Sequence, residues 1–263
     1  MKIVESFKVD VIIIGAMKCG TTALFKALKQ HNSVCASLEK EPNFFLKSTF
    51  SENCQLEYMS LFESNDNEKK LNLEASTSYA KLPESEMASK NIFNIMPTAK
   101  FIYVRRDPIE RIVSHYLHLK NRDLVSEPLN TEIWSNPEYI NFSMFDEQIR
   151  PYYDLFGADN ILELTFDELF VSTELCFLKI CQFLNIPFMS LEITKQNYTK
   201  DFGRNKYYTF FHITEKLFPN FINKWYRRKK IKLHLNSSNL SKLKKIFEKN
   251  DGLFDVNMLA KFR

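Results

Sequence analysis

The 263-residue sequence lacks the marks of several large protein classes. No stretch approaches the roughly 18–20 consecutive apolar residues that a membrane-spanning helix needs. No apolar signal-peptide core follows a basic start at the amino terminus. We therefore expect no integral membrane segment and a cytoplasmic location. The net charge of +4 is too small to indicate a nucleic-acid-binding protein, although it suits an anionic ligand.

The chain also lacks a disulfide framework, internal repeats and low-complexity linkers. Its five cysteines are an odd number without paired spacing, which fits free thiols in a reducing compartment. Chains with α/β folds often reach this length as one domain. We therefore predict a single domain over residues 1–263, and the sequence leaves its oligomeric state open.

What the chain does contain is an alternation of strand and helix patterns. An apolar, mostly β-branched run at 9–14 predicts a strand buried on both faces. Further strands are predicted at 71–75, 100–104 and 160–164, and helices at 21–30, 84–95, 108–120, 143–156, 172–184 and 239–250. This order predicts a three-layer α/β fold around a mostly parallel central sheet, with a ligand at the carboxyl ends of the strands. Two stretches without periodicity, 121–141 and 196–211, are predicted to be long loops near the site.

The segment Gly15-Ala-Met-Lys-Cys-Gly-Thr-Thr joins the first strand to the first helix, where phosphate-binding loops occur. Backbone N–H groups of such a turn point outward, and the helix dipole favours an anion there. The nucleoside-triphosphate version of this loop places a lysine directly after its last glycine. Here Thr21 follows Gly20, and Lys18 lies inside the loop. An ATPase or a P-loop kinase is therefore disfavoured, although a nucleotide or small-molecule kinase remains the alternative.

A second anion site is indicated where the strand predicted at 100–104 ends. Arg106 follows this strand, and Pro108 suits the first turn of the next helix, where its missing N–H costs nothing. Arg106 and Ser114, two turns into that helix, can converge on one phosphate, for which the planar arginine fork is well suited. A single phosphate there would match a 3′-phosphoadenosine. His115 and His118 have no apparent third partner, so we expect no metal site.

In this order, the two motifs resemble those of sulfotransferases that use 3′-phosphoadenosine 5′-phosphosulfate (PAPS). Gly15–Thr22 resembles the family's 5′-phosphosulfate loop, and Arg-Asp-Pro followed by Arg-x-x-Ser-x-Tyr resembles its 3′-phosphate site. The resemblance covers about residues 8–190 in element order. It implies a fold like that of P-loop NTPases, PAPS as co-substrate and no metal. It implies that the donor is bound by Lys18, Cys19, Gly20, Thr21, Thr22, Arg106 and Ser114. Asp107 and Arg111 are predicted to have structural roles, in pairing or capping at the turn.

The segment Glu39-Lys-Glu-Pro-Asn-Phe-Phe resembles the Lys-Glu-Pro-His-Phe-Phe element of the carbohydrate-modifying branch of this family, closest to the heparan type. In that branch the glutamate is the catalytic base. The resemblance implies that Glu41 is the base and that Lys40 assists the sulfuryl oxygens. Glu39 is an alternative base, because residues two apart in an extended segment face the same way. The implied acceptor is a small molecule or a glycan.

Two further elements carry weaker resemblances. Asn72-Leu-Glu-Ala-Ser-Thr-Ser-Tyr resembles a Glu-Ala-Ser-Pro-x-Tyr element. Glu74 there either orients Lys18 or an acceptor hydroxyl, or is a buried structural carboxylate. Ala75 stands where some relatives have a catalytic lysine. Phe-Gly-Arg at 202–204 resembles a Lys-Gly-Arg element, which implies that Arg204 contacts the 3′-phosphate or the adenine.

A basic run with aromatic residues occupies 224–232. We interpret it first as a solvated charged face, and alternatively as a contact for an anionic acceptor or a membrane surface.

The sequence therefore predicts a sulfotransferase that moves a sulfuryl group from PAPS to a hydroxyl or amine. Lys18 would stabilise the leaving phosphate, and Glu41 would deprotonate the acceptor. A binding module that kept the nucleotide pocket without turnover is a second, non-enzymatic alternative.

Overall fold

The computed structural model describes residues 9–62, 71–193 and 235–250. These residues fall into two compact units. The first contains the described residues up to 106 together with 147–193, and the second contains 107–146 with 235–250. The prediction of one domain stays a prediction. The loop predicted at 196–211, Arg204 and the basic run at 224–232 lie outside the described residues.

The first unit contains a parallel five-stranded sheet. In chain order the strands are β1 (Val11–Gly15), β2 (Val34–Ala36), β3 (Leu71–Ala75), β4 (Lys100–Arg105) and β5 (Ile161–Thr165). Their spatial order is β2-β3-β1-β4-β5, and every neighbouring pair is parallel. The predicted α/β fold with a parallel sheet is therefore confirmed. The central strand β1 is buried along its whole length, as its branched apolar side chains predict.

The helices that the structure describes are α1 (Thr21–Leu28), α2 (Glu52–Met59), α3 (Glu84–Ile95), α4 (Pro108–Lys120), α5 (Leu129–Ser135), α6 (Glu138–Asn141), α7 (Phe145–Phe156), α8 (Phe166–Val171), α9 (Thr173–Leu184) and α10 (Ser237–Asn250). In the first unit, α1 packs against β1 and β2, while α8 and α9 pack against β5. Among the described residues, no helix combines the length and apolar character needed to cross a membrane.

The second unit begins with the cap of α4. The carboxylate of Asp107 accepts a hydrogen bond from the Glu110 N–H at 2.8 Å, and Pro108 fills the first turn. Asp107 is thus a helix cap, as predicted. The buried Arg111 donates to the Ser143 hydroxyl and, at 2.8 Å, to the Tyr139 carbonyl, so it ties α4 to the segment around α6. This contact matches the structural role predicted for Arg111.

The stretch 121–141 is not the long irregular loop that its lack of periodicity predicts. It contains α5 and α6, which directly follow Pro128 and Pro137. The prediction is wrong because helices of seven and four residues are too short to show a 3.6-residue pattern. The predicted C-terminal helix is confirmed as α10, which is anchored to α5 through hydrogen bonds of Asn239.

Candidate functional site

The loops that follow β1, β3 and β4 lie side by side at the carboxyl edge of the sheet, because β1 lies between the other two strands. From β1 the chain continues to β2 on one side, and from β4 it continues to β5 on the other. Connections that leave neighbouring strands in opposite directions open a crevice between them, which is where parallel α/β sheets bind ligands. The crevice between β1 and β4 is therefore the expected position of a ligand.

The loop after β1 is shaped by two glycines. A Cβ atom on Gly15 would lie 2.5 Å from a ring carbon of Tyr103, so no side chain fits at the end of this strand. Gly20, at the N-cap of α1, has a φ of 97°, which is in the left-handed region that glycine adopts readily. Among the described residues, no side chain caps this helix end. The first-turn N–H groups of a helix have no partner inside the helix, so the start of α1 suits an anion.

The predicted donor-binding residues of this loop differ in exposure. Lys18 and Thr22 are partly exposed, whereas Cys19 and Thr21 are buried. The Cys19 N–H donates to the Ala16 carbonyl at 3.2 Å, which closes the turn. Lys18 has a φ of 68°. A lysine in this conformation is uncommon, and such backbone strain concentrates at functional sites.

Arg106 lies on the opposite side of the crevice and reaches this loop. Its guanidinium donates to the Lys18 carbonyl at 3.3 Å and lies over the Phe166 ring, 4.3 Å from the centroid. The structure thus brings the Arg106 side chain to the Lys18 backbone, and their shared role in binding the donor stays a prediction. The neighbouring Arg105 instead forms an ion pair with Glu163. Ser114 is buried in α4 of the second unit, and its predicted role beside Arg106 stays a prediction.

Glu41 is fixed at the end of β3. Its N–H donates to the Ala75 carbonyl at 2.8 Å, which holds the backbone. Its carboxylate accepts hydrogen bonds from the Thr77 N–H at 2.8 Å and the Thr77 hydroxyl at 3.2 Å, and it pairs with Lys40. All these partners are donors, which suits an ionised carboxylate. The side chain of Glu39, the alternative base, is exposed to solvent.

Glu74 lies in the interior, one residue before β3 ends. Its carboxylate accepts hydrogen bonds from the hydroxyls of Ser76, Tyr58 and Tyr79. Of the two predictions for Glu74, the buried structural carboxylate is confirmed. The prediction that it orients Lys18 or an acceptor hydroxyl stays a prediction.

The environment of Glu74 changes its acidity. Burial raises the pKa of Glu74 to about 7, because the ionised form loses its hydration. The hydrogen bonds from the three hydroxyls act in the opposite direction, and the negative charge of Glu41 adds to the rise. Sequence reasoning missed Tyr58 and Thr77 as partners of the two carboxylates. Thr77 lies three residues after Glu74 in the same motif and could have been found there, whereas no local pattern indicates Tyr58.

In the described ranges, no group of three or more His, Cys, Asp or Glu side chains could hold a metal ion.

Comparison with known proteins identifies the family of this chain and one relative by sequence. The family model for the sulfotransferase domain matches residues 8–255. A mouse protein, bifunctional heparan sulfate N-deacetylase/N-sulfotransferase 4, is 29% identical over 140 residues. That match covers 48% of this chain but only 16% of the mouse protein, so the chain spans a small part of that relative.

Two solved structures share the fold. A sulfotransferase from Alicyclobacillus acidocaldarius superposes with a TM-score of 0.61 at 20% identity, over 88% of this chain and 98% of that one. Mouse sulfotransferase SULT7A1 complexed with PAP superposes with a TM-score of 0.57 at 14% identity, over 96% of this chain and 87% of that one. At these identities the likeness shows a common fold.

Proposed function

Because the chain belongs to the PAPS-dependent sulfotransferase family, we propose that it transfers the sulfuryl group of PAPS to a hydroxyl or amine of a carbohydrate. One observation carries this proposal. Three adjacent strands of one sheet position the site. Lys18 lies in the loop after β1, Arg106 directly follows β4, and Glu41 is held by the residues at the end of β3. The anionic donor would therefore lie at the carboxyl edge of the sheet, together with the cations that bind it and the base that deprotonates the acceptor.

The donor would lie along the crevice between β1 and β4. The uncapped start of α1, with Gly20, Thr21 and Thr22, would bind the 5′-phosphate, with Cys19 contributing its backbone. Arg106 would bind the 3′-phosphate, together with Ser114 and Arg204. The fold neighbour that was solved with PAP supports a donor of this class. PAP, 3′-phosphoadenosine 5′-phosphate, is what PAPS becomes when it gives up its sulfuryl group.

The chemistry requires in-line positioning, stabilisation of charge on the leaving oxygen and a base. The acceptor oxygen or nitrogen would bond to sulfur while the bond from sulfur to the phosphate oxygen breaks. The Lys18 ammonium would neutralise the negative charge that appears on that phosphate. Glu41 would take the acceptor proton, and Lys40 at its side would face the sulfuryl oxygens.

A carbohydrate acceptor is supported by two observations. The segment around Glu41 resembles the carbohydrate-modifying branch, and the mouse relative is named for N-sulfation of heparan sulfate. A glycan offers both hydroxyls and, after deacetylation, amines.

The test is transfer of ³⁵S from labelled PAPS, without magnesium, to heparosan, N-deacetylated heparosan and a simple phenol. We expect labelled glycan. Lys18→Ala should lower the rate about 100-fold, the loss typical of removing one charge-stabilising group. Lys29→Ala is the matched control, because it removes an exposed lysine one residue beyond α1 and should leave the rate unchanged.

Three outcomes would contradict parts of this proposal. Magnesium-dependent transfer from ATP would indicate a kinase. Tight PAP binding without transfer to any acceptor would indicate a binding module. An undiminished rate in Lys18→Ala would remove Lys18 from the mechanism.

A further inference from the structure

The buried carboxylate of Glu74 organises three hydroxyl groups. Ser76 donates to one carboxylate oxygen, and Tyr58 and Tyr79 donate to the other, at 2.5 Å and 3.3 Å. A hydroxyl has a single proton but two lone pairs. Each of these hydroxyls therefore points its proton at Glu74 and turns its lone pairs elsewhere.

Two of the hydroxyls use those lone pairs to hold the chain just after Glu41. The Asn43 N–H donates to the Ser76 hydroxyl at 3.2 Å. The Phe45 N–H donates to the Tyr79 hydroxyl at 3.3 Å. Both backbone positions are thus connected to Glu74 through one intervening oxygen.

The third hydroxyl belongs to a ring that packs on the residue between them. The ring of Tyr58 stacks on Phe44, with centroids 4.3 Å apart and planes at 19°. Residues 43–45 are consecutive, so each of the three is tied to one of the three side chains that bind Glu74.

The same segment carries Glu41. The side-chain amide of Asn43 donates to the Glu41 carbonyl at 2.9 Å. Thr77, which binds the Glu41 carboxylate, directly follows Ser76 in the chain. A shift of Ser76 would therefore affect Glu41 at two points. It would reach the Glu41 carbonyl through Asn43 and the Glu41 carboxylate through Thr77.

We propose that Glu74 is a positioning residue whose ionised carboxylate orients the Ser76 and Tyr79 hydroxyls and so fixes residues 41–45 for transfer. This inference rests on the proposed function in one respect, since it takes Glu41 as the base. Glu74 itself is fully buried and would act on the transfer only through these hydroxyls.

Titration of Glu74 should switch this arrangement. Its pKa of about 7 places the change near neutral pH. In the part of the chain that the structure describes, the other titratable groups facing it are Glu41 on the loop, Tyr58 on α2, Tyr79 after β3 and Tyr152 on α7. Burial raises the pKa of each of these tyrosines well above its usual range, so they stay neutral there.

The direction follows from hydrogen-bond counting. A protonated Glu74 is neutral and must donate to one of the surrounding oxygens, so one of the three hydroxyls has to turn its proton away. The Ser76 and Tyr79 hydroxyls also lose the negative charge that aligns them toward Asn43 and Phe45. Transfer should therefore rise with pH through about 7. Stability should change in the opposite direction. A carboxyl group whose folded pKa is raised stabilises the fold at low pH, and that contribution is lost as pH rises through the folded pKa.

The direct test is nuclear magnetic resonance of the Asn43 and Phe45 amides in ¹⁵N-labelled, deuterated protein as the pH is raised. In the wild type, both amide shifts should titrate with a midpoint near 7. In Glu74→Gln, which keeps the shape but cannot ionise, the titration should disappear. Tyr152→Phe is the control, because it removes an equally buried hydroxyl that bonds the Tyr79 carbonyl and leaves Glu74 unchanged.

Variants that remove a single hydroxyl test the Ser76 link to Asn43 and the Tyr79 link to Phe45 separately. They remain informative even where the Glu74→Gln variant does not fold. Ser76→Ala should abolish the titration at Asn43 but keep it at Phe45, and Tyr79→Phe should do the reverse. Each should lower kcat by about threefold to tenfold, the effect of one neutral hydrogen bond, with PAP affinity unchanged.

The outcomes distinguish this inference from the proposed function. Amides that do not titrate, or that titrate identically in Glu74→Gln, overturn the role of Glu74 even in an active sulfotransferase. A titration that follows the prediction in a wild type without transfer activity supports the link from Glu74 to residues 43–45 and contradicts the proposed function.

Discussion

Two neighbouring parts of one sheet edge are built by different means. The donor side, residues 15–22 with Arg106, combines one cationic side chain with a loop formed by backbone: a strand end without room for a side chain, a left-handed glycine and a helix start that no described side chain caps. The acceptor side, residues 39–45 with the end of β3, is held by side chains: two carboxylates and the hydroxyls that bind each of them. The first depends on chain geometry, and the second depends on a buried hydrogen-bond network.

This difference decides what each side can tolerate. A site formed by backbone is sensitive to substitutions that replace a glycine or alter the course of the backbone. It is less sensitive to substitutions of side chains that point away from the ligand. A buried polar network is sensitive to the loss of any one member, because the remaining groups are left without partners. The two sides should therefore fail separately, with donor affinity reporting one and turnover the other.

The largest effect should come from breaking the acceptor side alone. Glu41→Gln keeps the size and shape of the side chain beside Thr77, but an amide cannot act as a general base. The value of kcat should therefore fall about 1000-fold, in the range for loss of a general base. PAP affinity, measured by calorimetry, should stay within twofold or so of the wild type, because the donor side is intact.

Glu39→Gln is the matched control for this prediction. Its side chain is exposed two residues earlier in the same segment, so turnover should hardly change. A large loss in Glu39→Gln with an active Glu41→Gln would move the base to Glu39.

The donor side was largely predictable from the sequence because its determinants are local. The loop from Gly15 to Thr22 and the helix α4, which follows Arg106, are indicated by short patterns, and α4 was predicted with the bounds that the structure shows. Outside the donor side, the bounds of β3 and α3 were also predicted from such patterns, whereas two short elements were not. The strand β2 was missed because three residues show no alternation. The helix α2 was missed because only Gln55 and Tyr58 on it are buried, which leaves no apolar stripe to recognise.

The acceptor side was only partly predictable because its determinants are distant in the chain. The motif around Glu41 indicated a base, but the motif around Glu74 did not show whether that carboxylate faces the site or the interior. Tyr58, which lies 16 residues away on α2, is the contact that answers this. Such a pairing follows from tertiary packing and has no signal in the local sequence.

A smaller effect should come from disturbing the backbone of the donor side. Gly20→Ala places a side chain at a φ of 97° and within 2.8 Å of a ring carbon of Phe170. We expect PAP affinity to fall about fivefold and the free energy of unfolding to fall by about 1–3 kcal/mol, from backbone strain and crowding. Calorimetry and thermal unfolding measure the two quantities.

Gly157→Ala is the control for strain alone. Gly157 also has a positive φ, of 75°, but a Cβ there meets no atom of the described residues within 4 Å. This variant should lose stability and keep its PAP affinity. Equal losses of PAP affinity in both variants would show that the Gly20 effect comes from general destabilisation.

The central claim is that the crevice between β1 and β4 binds a 3′-phosphorylated adenine nucleotide. Calorimetry of PAP against AMP, without magnesium, tests it directly, with Arg106→Ala and Arg105→Lys in parallel. We predict that the wild type prefers PAP and that Arg106→Ala weakens PAP binding by about 10–100-fold, the effect of losing hydrogen bonds to a charged group. Arg105→Lys, whose side chain pairs with Glu163, should keep the preference. Equal binding of PAP and AMP by the wild type, or a preference that survives in Arg106→Ala, would contradict the claim.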